Sequence, residues 1–317
     1  MTRALRFFLP LSAVALVVAS LAIGVDEASF SHGWTSPEAL QLIFASRLPR
    51  TLAAVLAGAG LAIAGLVMQA LARNRFVEPS TAGTAQGAAF GVLVATLLWP
   101  ASPLIVKMLF AIASALAGTA IFLSIVNRLP PTQPYLVPLF GLVYAGVIGA
   151  GVTFIGWHWD LLQYVEIWMN GEFSGVLRGR YELLWIAALT MGLAWWVADR
   201  LTILSLGRDV SVSLGLSYEA MLRLGLVIVS IITALTVVVV GLIPFVGLVV
   251  PNLVTRFRGD DVRSAIPLVA SVGAALVLAC DLLGRTLRYP YEIPVGTVLG
   301  AVGAALFLLL LFWPRNG

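Results

Sequence analysis

The chain has 317 residues, of which 60% are hydrophobic and only 11% are charged, and its mean hydropathy is +1.01. Soluble domains carry roughly 25% charged residues, so this composition excludes a soluble globular protein and indicates an integral membrane protein. The net charge of +4 reflects arginines scattered singly between apolar runs, without the basic stripe on which a nucleic acid binds. No nucleic-acid partner is expected.

Apolar runs of about 20 residues, each long enough to cross a bilayer as a helix, follow one another along the chain. They are continuous, whereas the strands of a membrane β-barrel alternate between apolar and polar residues. We therefore predict an all-α polytopic protein that forms a single membrane domain over residues 1–317, surrounded by lipid. The ten predicted helices cover 7–24, 48–71, 84–99, 103–126, 135–156, 182–198, 220–242, 245–257, 264–283 and 294–313. We expect the first to stay uncleaved, because no clear small-residue cleavage site precedes the second.

The positions of the basic residues predict the orientation. With both termini cytoplasmic, twelve basic residues fall on the cytoplasmic side and seven on the outer side, which agrees with the positive-inside rule. The bias is modest, because the outer side keeps an unusual number of arginines that need their own explanation. The outer seven are Arg47, Arg50, Lys107, Arg178, Arg180, Arg285 and Arg288.

Prolines and glycines interrupt the predicted helix at 245–257. Pro244 and Pro251 break or kink helices, and Gly241 and Gly247 lie near them. A broken helix inside a membrane needs protein or a water-filled cavity to cover its freed backbone, and transporters use such helices at their substrate sites. The pattern predicts either a functional break or a re-entrant hairpin that only fills space.

A polar segment separates the sixth and seventh predicted helices. It covers about 200–222, and Leu206–Gly215 at its centre contains charges and paired glycines. A plain turn between two helices needs neither this length nor these charges. The segment therefore indicates a surface that contacts another molecule, and the predicted topology places it on the cytoplasmic side.

Two segments on the predicted outer side are rich in aromatic or charged residues. Residues 157–173 form an amphipathic aromatic segment, which is either anchored at the membrane interface or caps the mouth of a pathway. Residues 284–294 form a short charged connection. On the last helix, Gly296 and Gly300 have the spacing of a close helix contact or a moving seam.

Residue types that carry catalysis or metal binding are sparse. Cys280 is the single cysteine and lies in an apolar run, and His32 and His158 lack metal-ligand spacing. The chain has no nucleotide-binding loop and no nucleophile motif, so we predict no metal, no cofactor and no enzyme activity. An ion-coupled secondary transporter is an alternative, which needs a carboxylate inside the membrane. Asp281 is the acid that best fits this requirement.

Several motifs, in order over nearly the whole chain, resemble the FecCD family. In the N-terminal half they are Arg47-Leu-Pro-Arg50, Gly65-Leu-Val-Met-Gln69 and Glu78-Pro-Ser-Thr-Ala-Gly83. In the C-terminal half they are Leu206–Gly215, Gly247-Leu-Val-Val-Pro251, Asp281-Leu-Leu-Gly-Arg285 and Glu292-Ile-Pro-Val-Gly296. This family comprises the permease subunits of ATP-binding cassette (ABC) importers for iron-siderophores, haem and cobalamin.

The resemblance implies a cobalamin-importer-type permease fold of ten helices in the bacterial cytoplasmic (inner) membrane. It implies a dimer with a second copy or with a paralogous permease subunit. Two separate ATPase subunits would hydrolyse ATP, and a substrate-binding protein, periplasmic or lipid-anchored, would dock on the outer face. The predicted walls of the pathway are the helices at 135–156 and 294–313 together with the segment 157–173.

The resemblance also assigns two groups of residues. Coupling to the ATPase would rest on a stiff element that ATP-driven closure can push, and its residues would be Gly207, Arg208, Asp209, Ser213, Leu214 and Gly215. Docking of the binding protein would use Arg47, Arg50 and Arg285, with Arg288 as an extra candidate. Arginine suits this role because its planar fork can bind a carboxylate through two hydrogen bonds. Anchoring at lipid headgroups is the alternative role for these arginines.

Two positions depart from the commoner form of the family. Arg75 follows Asn74 where many members carry a proline soon after the asparagine, and Asn252 stands where histidine is frequent. The first departure resembles the branch that handles catecholate-type siderophores such as petrobactin. The second argues against an ionisable group at that position. We therefore expect translocation of a ferric siderophore by alternating access, with haem or cobalamin as alternative substrates.

Overall fold

The computed structural model describes residues 14–23, 37–130, 133, 135–259 and 261–312, apart from the side chains of residues 38 and 39. This part of the chain is built from helices and contains no β-strand, so the predicted all-α class is confirmed. The first predicted helix, 7–24, lies only partly within the described residues, and both chain termini lie outside them.

The N-terminal half contains six helices in the described part, with a continuous join between the second and the third. They are α1 (14–22), α2 (Pro37–Leu42), α3 (Leu48–Ala72), α4 (Thr84–Leu98), α5 (Leu104–Val126) and α6 (Leu136–His158). The π-helical turn Ile43–Arg47 joins α2 to α3. Arg73 has left-handed backbone angles, with φ 48°, and ends α3.

Short and long helices follow one another in the C-terminal half. They are α7 (Leu162–Met169), α8 (Leu184–Trp196), α9 (Ala198–Ser205), α10 (Arg208–Ser213), α11 (Tyr218–Val239), α12 (Val246–Arg258), α13 (Val262–Thr286) and α14 (Val295–Phe312). Asp261 starts α13, because its side chain accepts hydrogen bonds from the backbone N–H groups of Arg263 and Ser264.

Six helices of the described part are long and apolar enough to cross a membrane: Leu40–Ala72, α5, α6, α11, α13 and α14. A seventh span results if Tyr181–Trp196 and Ala198–Ser205, which meet at a bend of 64°, are counted together. The helices α4 and α12 are shorter, with 15 and 13 residues. A polytopic membrane protein is therefore confirmed, and the number of ten helices stays a prediction.

The helix α3 lies at the centre of the bundle, and small residues make this position possible. In the most apolar stretch of its span, 89% of the residues are buried. A Cβ atom added at Gly58 would lie 2.5 Å from the carbonyl oxygen of Gly273, and one added at Gly65 would lie 2.1 Å from that of Gly247. Glycine is therefore required where the backbones of α13 and α12 touch α3.

The helices α6 and α14 lie at the edge of the bundle. Only 22% and 33% of the residues in their most apolar stretches are buried. A Cβ atom added at Gly146, Gly151 or Gly300 would meet no atom of the described residues within 4 Å. These two helices therefore keep open faces that can meet lipid, a pathway or another subunit.

The predicted break near residues 245–257 exists, but it lies before α12 rather than within it. The backbone between α11 and α12 has positive φ at Gly241 (97°) and at Phe245 (68°). Pro251 lies inside α12, which continues past it to Arg258. Only the first of the two proline-containing stretches therefore interrupts the helix.

The end of α7 and the segment that follows it cover this break through backbone hydrogen bonds. The N–H group of Leu242 donates to the carbonyl oxygen of Trp168 at 2.9 Å, and that of Gly171 donates to the carbonyl oxygen of Leu242 at 2.9 Å. The N–H group of Gly296, at the start of α14, donates to the carbonyl oxygen of Gly171 at 2.9 Å. The freed backbone groups are therefore covered by protein, as a membrane requires.

Candidate functional site

The predicted functional residues lie at the two ends of α3. Arg47 and Arg50 flank its start, and Arg73, just after its last residue, lies against Gly207. A helix of 25 residues is about 37 Å long, so the two groups lie on opposite sides of the bundle. We call the side with Arg47 and Arg50 the arginine end and the side with Gly207 the coupling end.

Two glycines shape the coupling end. Gly207 has φ 102° and ψ 171°, a conformation open essentially to glycine alone, and Gly215 has φ 78°. They stand on either side of α10. The hydroxyl group of Ser211 donates to the carbonyl oxygens of Ile203 at 3.0 Å and Gly207 at 2.7 Å. The short helix α10 is thereby fixed to the end of α9.

The coupling end presents apolar side chains to the outside of the chain. Leu206, Val212 and Leu214 are 60%, 58% and 62% exposed. This end of the bundle also carries charged residues, and large apolar side chains exposed together mark a surface that contacts protein or membrane. The predicted coupling residue Leu214 is therefore accessible to a partner.

The polar residues of α10 are also accessible. Arg208, Asp209 and Ser213 are all exposed, and the Ser213 hydroxyl donates within the helix to the Asp209 carbonyl oxygen at 2.8 Å. Arg208 lies 3.9 Å from Glu219 in an ion pair whose two side chains are more than half exposed. Such a pair contributes little to stability, so these charges are available for contacts with another protein.

Neighbouring helices hold the base of the coupling end. The Arg73 guanidinium group lies 3.2 Å from the place that a Cβ atom of Gly207 would occupy. Asp199 of α9 forms an ion pair with Arg263 of α13. A cavity of about 250 Å³ lies between the end of α3, α9 and α12. The helix α10 itself contacts α9 and α11, and α9 contacts α3 and α13.

At the arginine end, Arg47 and Arg285 close the C-terminus of α1. Four consecutive carbonyl groups, 20–23, accept hydrogen bonds from these two side chains. Arg47 donates to the middle pair at 2.9 and 2.8 Å, and Arg285 donates to the outer pair at 3.1 and 2.9 Å. The last carbonyl groups of a helix have no partner within it, and a positive charge is favourable there. The two arginines therefore cap α1.

Two carboxylates balance the charges at the arginine end. Asp281 is 2% exposed and accepts hydrogen bonds from Arg50 at 2.8 Å and from Arg285. Glu292, which is 21% exposed, accepts a hydrogen bond from Arg50 at 2.9 Å. A buried charge is tolerated only with such partners, because an unpaired one is strongly destabilising. Asp281, the acid singled out for ion coupling, is thus held between two arginines.

The structure brings Arg47, Arg50 and Arg285 together, but it turns their guanidinium groups towards acceptors of the same chain. Arg47 and Arg285 are 6% and 4% exposed, and the Arg50 side chain is 13% exposed. Arg288, in contrast, is exposed and lies over the ring of Tyr291. The docking role of these arginines stays a prediction.

Glu78 has no predicted role, although this acid is as deeply buried as Asp281. Glu78 is 3% exposed. Its carboxyl group accepts hydrogen bonds from the backbone N–H of Phe245 at 3.0 Å and from the hydroxyl of Ser80. The sequence offers one indication of a buried acid here, because Glu78 is followed directly by Pro79 and lies between two apolar helices.

The fold and its two ends define a class of protein. An apolar helix bundle with a broken span, a buried arginine cluster at one end and an exposed short helix at the other fits a membrane transport subunit. Within the described ranges, no group of three or more histidine, cysteine or acidic residues could hold a metal ion.

The chain belongs to the FecCD transport family, whose sequence model matches residues 12–313. The petrobactin import system permease protein YclN of Bacillus subtilis is 41% identical over 299 residues, which cover 94% of this chain and 95% of that protein. The ferric-anguibactin transport system permease protein FatD of Vibrio anguillarum is 38% identical over 308 residues, which cover 97% and 98%.

A solved structure is also similar over the whole length. It is described as an inward-facing conformation of a metal-chelate type ABC transporter, and it superimposes with a TM-score of 0.82 at 28% identity, covering 98% of this chain and 99% of the other. The predicted family is confirmed. The chain is a permease subunit rather than an enzyme.

Proposed function

We propose that this chain is the membrane-spanning subunit of an ABC importer that moves a ferric siderophore across the bacterial cytoplasmic membrane by alternating access. The observation that carries the proposal is the similarity to permeases for petrobactin and for ferric anguibactin, in alignments that cover 94% and 97% of this chain. Haem and cobalamin are the alternative substrates, because the FecCD resemblance extends to their importers.

In this proposal the chain forms a single domain over residues 1–317, with ten transmembrane helices, a cobalamin-importer-type fold and both termini cytoplasmic. A second copy or a paralogous permease completes the pathway. The pathway walls are α6, α14 and the segment 157–173. The open faces of α6 and α14 support this assignment, because a helix that lines a pathway or a subunit interface is not covered within its own chain.

Two ATPase subunits, one for each permease, drive the cycle through the coupling end. The contact residues are Gly207, Arg208, Asp209, Ser213, Leu214 and Gly215. The exposure of α10 supports this role, and so does its attachment to α9, because a short helix held between two constrained glycines can transmit a push without unfolding. The helices then move against one another as the ATPases close.

A periplasmic or lipid-anchored binding protein docks at the arginine end, near Arg47, Arg50 and Arg285. Arg50 is the most exposed of the three, and its partner Glu292 is itself partly exposed. We assign the direct contact to Arg50, where a carboxylate of the binding protein would replace Glu292. Arg47 and Arg285 would shape the surface by holding the end of α1.

The test is a reconstitution in proteoliposomes of the permease with the ATPase and the binding protein encoded beside it. Ferric petrobactin should stimulate ATP hydrolysis and enter the vesicles, whereas haem and cobalamin should do neither. If none of the three stimulates hydrolysis, the proposed function is wrong. If only haem or cobalamin is taken up, the importer stands and the substrate is reassigned.

The coupling role has its own test in the same vesicles. Replacement of Arg208 and Asp209 together by alanine should reduce uptake at least about tenfold, because both side chains are exposed and available to the ATPase, while stability should change by less than about 0.5 kcal/mol. The matched control is Arg128→Ala, which removes an exposed arginine that lies outside α10. Equal uptake by the double variant and the control would remove the two residues from coupling.

A further inference from the structure

A buried carboxyl group caps a helix that starts inside the bundle. Glu78 lies between α3 and α4, and its Oε1 atom accepts a hydrogen bond at 3.0 Å from the N–H of Phe245, the residue just before α12. The N–H groups of Gly247 and Leu248 also face this carboxyl group. The first N–H groups of a helix lack partners within it, and a negative charge is favourable there. Glu78 therefore supplies a cap that the residues before α12 do not.

Two further side chains fasten α12 to the same region. The Gln69 amide donates to the carbonyl oxygen of Gly247 at 3.2 Å, near the start of α12. The Asn252 amide donates to the carbonyl oxygen of Arg75 at 2.7 Å, one to two turns further along the helix. The end of α3, the connection 73–83 and α12 are thus joined at three points by side chains.

The start of α12 is also the place where the segments of the proposed pathway meet. A Cβ atom added at Gly303 of α14 would lie 2.4 Å from the Cβ atom of Phe245. The N–H of Gly296 donates to the carbonyl oxygen of Gly171, and the N–H of Gly171 donates to that of Leu242 in the break. Any shift of the start of α12 therefore displaces α14 and the aromatic segment.

The backbone at this junction depends on its surroundings. Phe245 has φ 68°, a left-handed conformation that is unusual for a bulky residue and persists only where neighbouring groups hold it. The hydrogen bond from its N–H group to Glu78 is such a constraint. Loss of the carboxyl group would leave buried N–H groups without a partner and release the conformation of Phe245.

We propose that Glu78 is a positioning residue for transport. Its carboxyl group fixes α12 to the connection between α3 and α4, so that α3, this connection and α12 move as one body. This body then keeps α14 and the segment 157–173 in fixed positions relative to it. This role of Glu78 rests on the transport function proposed above. A cap needed only for folding would lower the amount of folded protein without changing how each folded complex works.

The experiment compares Glu78→Gln, Glu78→Asp and Glu78→Ala in the reconstituted importer, with ferric petrobactin as the probe. Two quantities are measured for each folded complex: ATP hydrolysed and siderophore taken up. The matched control is Glu182→Gln, because Glu182 accepts a hydrogen bond from a backbone N–H group, that of Gly179, as Glu78 does from Phe245, but is exposed and lies outside the proposed pathway and contact surfaces.

We expect Glu78→Ala to lower uptake per ATP about tenfold and Glu78→Gln about threefold, since glutamine keeps an acceptor but loses the charge at the helix terminus. Glu78→Asp should recover part of the loss. The control should match the wild type. If Glu78→Ala fails to assemble, uptake per ATP of the glutamine and aspartate variants decides whether Glu78 has a role in transport.

Uptake per ATP equal to wild type in every variant that assembles would overturn the proposal and leave Glu78 as a folding cap. Failure of the proposed function gives a different result, because the wild-type importer itself would then take up no siderophore. Petrobactin transport by the wild type with an unchanged ratio in the variants would refute only the role of Glu78.

Discussion

The two ends of α3 carry polar residues between apolar helices, yet they use them in opposite ways. At the arginine end, Arg47 and Arg285 are buried and donate to carbonyl groups of α1. At the coupling end, Arg208 and Asp209 are exposed. The difference is therefore one of burial: the arginine end encloses its charges with their partners, whereas the coupling end leaves its charges accessible to another protein.

Electrostatics explains why the arginine end can be buried. The charges of Arg50 and Arg285 are matched by those of Asp281 and Glu292, and Arg47 faces the negative end of a helix dipole. This end should therefore contribute to the free energy of unfolding. The coupling end, where side chains meet solvent, should affect transport more than stability.

The largest expected effect is that of Arg285→Ala on stability. The change removes one of the two partners of Asp281 and exposes the last carbonyl groups of α1, so the free energy of unfolding should fall by about 3–5 kcal/mol. Denaturant unfolding of the purified permease in detergent measures it. Arg288→Ala is the control, because this neighbouring arginine is exposed, and it should change stability by less than about 0.5 kcal/mol. Equal stability of the two variants would contradict a stabilising role for the hydrogen bonds from Arg285 to Asp281 and to the end of α1.

A smaller effect is expected from Gly207→Ala at the coupling end. The backbone angles of Gly207, φ 102° and ψ 171°, should make alanine unfavourable by about 1–3 kcal/mol. The strain is local to the start of α10, so uptake per ATP should fall, and the free energy of unfolding should fall by no more than this cost. Gly192→Ala in α8 is the control, because a Cβ atom there meets open space among the described residues. Uptake equal to that control would show that the shape of α10 does not matter.

The parts of the fold that could be predicted are those whose signal lies in neighbouring residues. Apolar runs alone place several helices to within about two residues; examples are 103–126 and 135–156, where the structure has Leu104–Val126 and Leu136–His158. The exposure of the polar segment around α10 was predictable for the same reason, because its glycines and charges are contiguous in sequence. A helix boundary or an exposed loop leaves its signal in neighbouring residues.

Contacts between distant residues could not be predicted in this way. Arg50 and Asp281 are 231 residues apart in sequence, and Glu78 and Phe245 are 167 apart. The sequence contains both acids, but it does not reveal which arginine or which helix start faces them. The resemblance to the family was enough to group the three arginines. It did not predict that they are buried or that Glu78 caps α12.

The smallest expected effect separates the two possible uses of Arg50. Glu292→Gln removes the more exposed of its two partners, so the free energy of unfolding should change by less than about 1 kcal/mol. If the binding protein docks on Arg50, its association should become several-fold faster at low salt, because an acceptor that competes for this arginine has been weakened. Binding kinetics on the permease complex in nanodiscs measure the change at two salt concentrations.

The control for this last experiment is Glu182→Gln, which removes the same charge from a side chain whose carboxylate accepts a hydrogen bond from the N–H of Gly179 rather than from an arginine. An increase confined to Glu292→Gln would place the docking contact at Arg50. An equal increase in both variants would reflect net charge alone. No increase in either would mean that Arg50, like Arg47 and Arg285, serves the interior of the chain, and that the arginine end is closed to the binding protein.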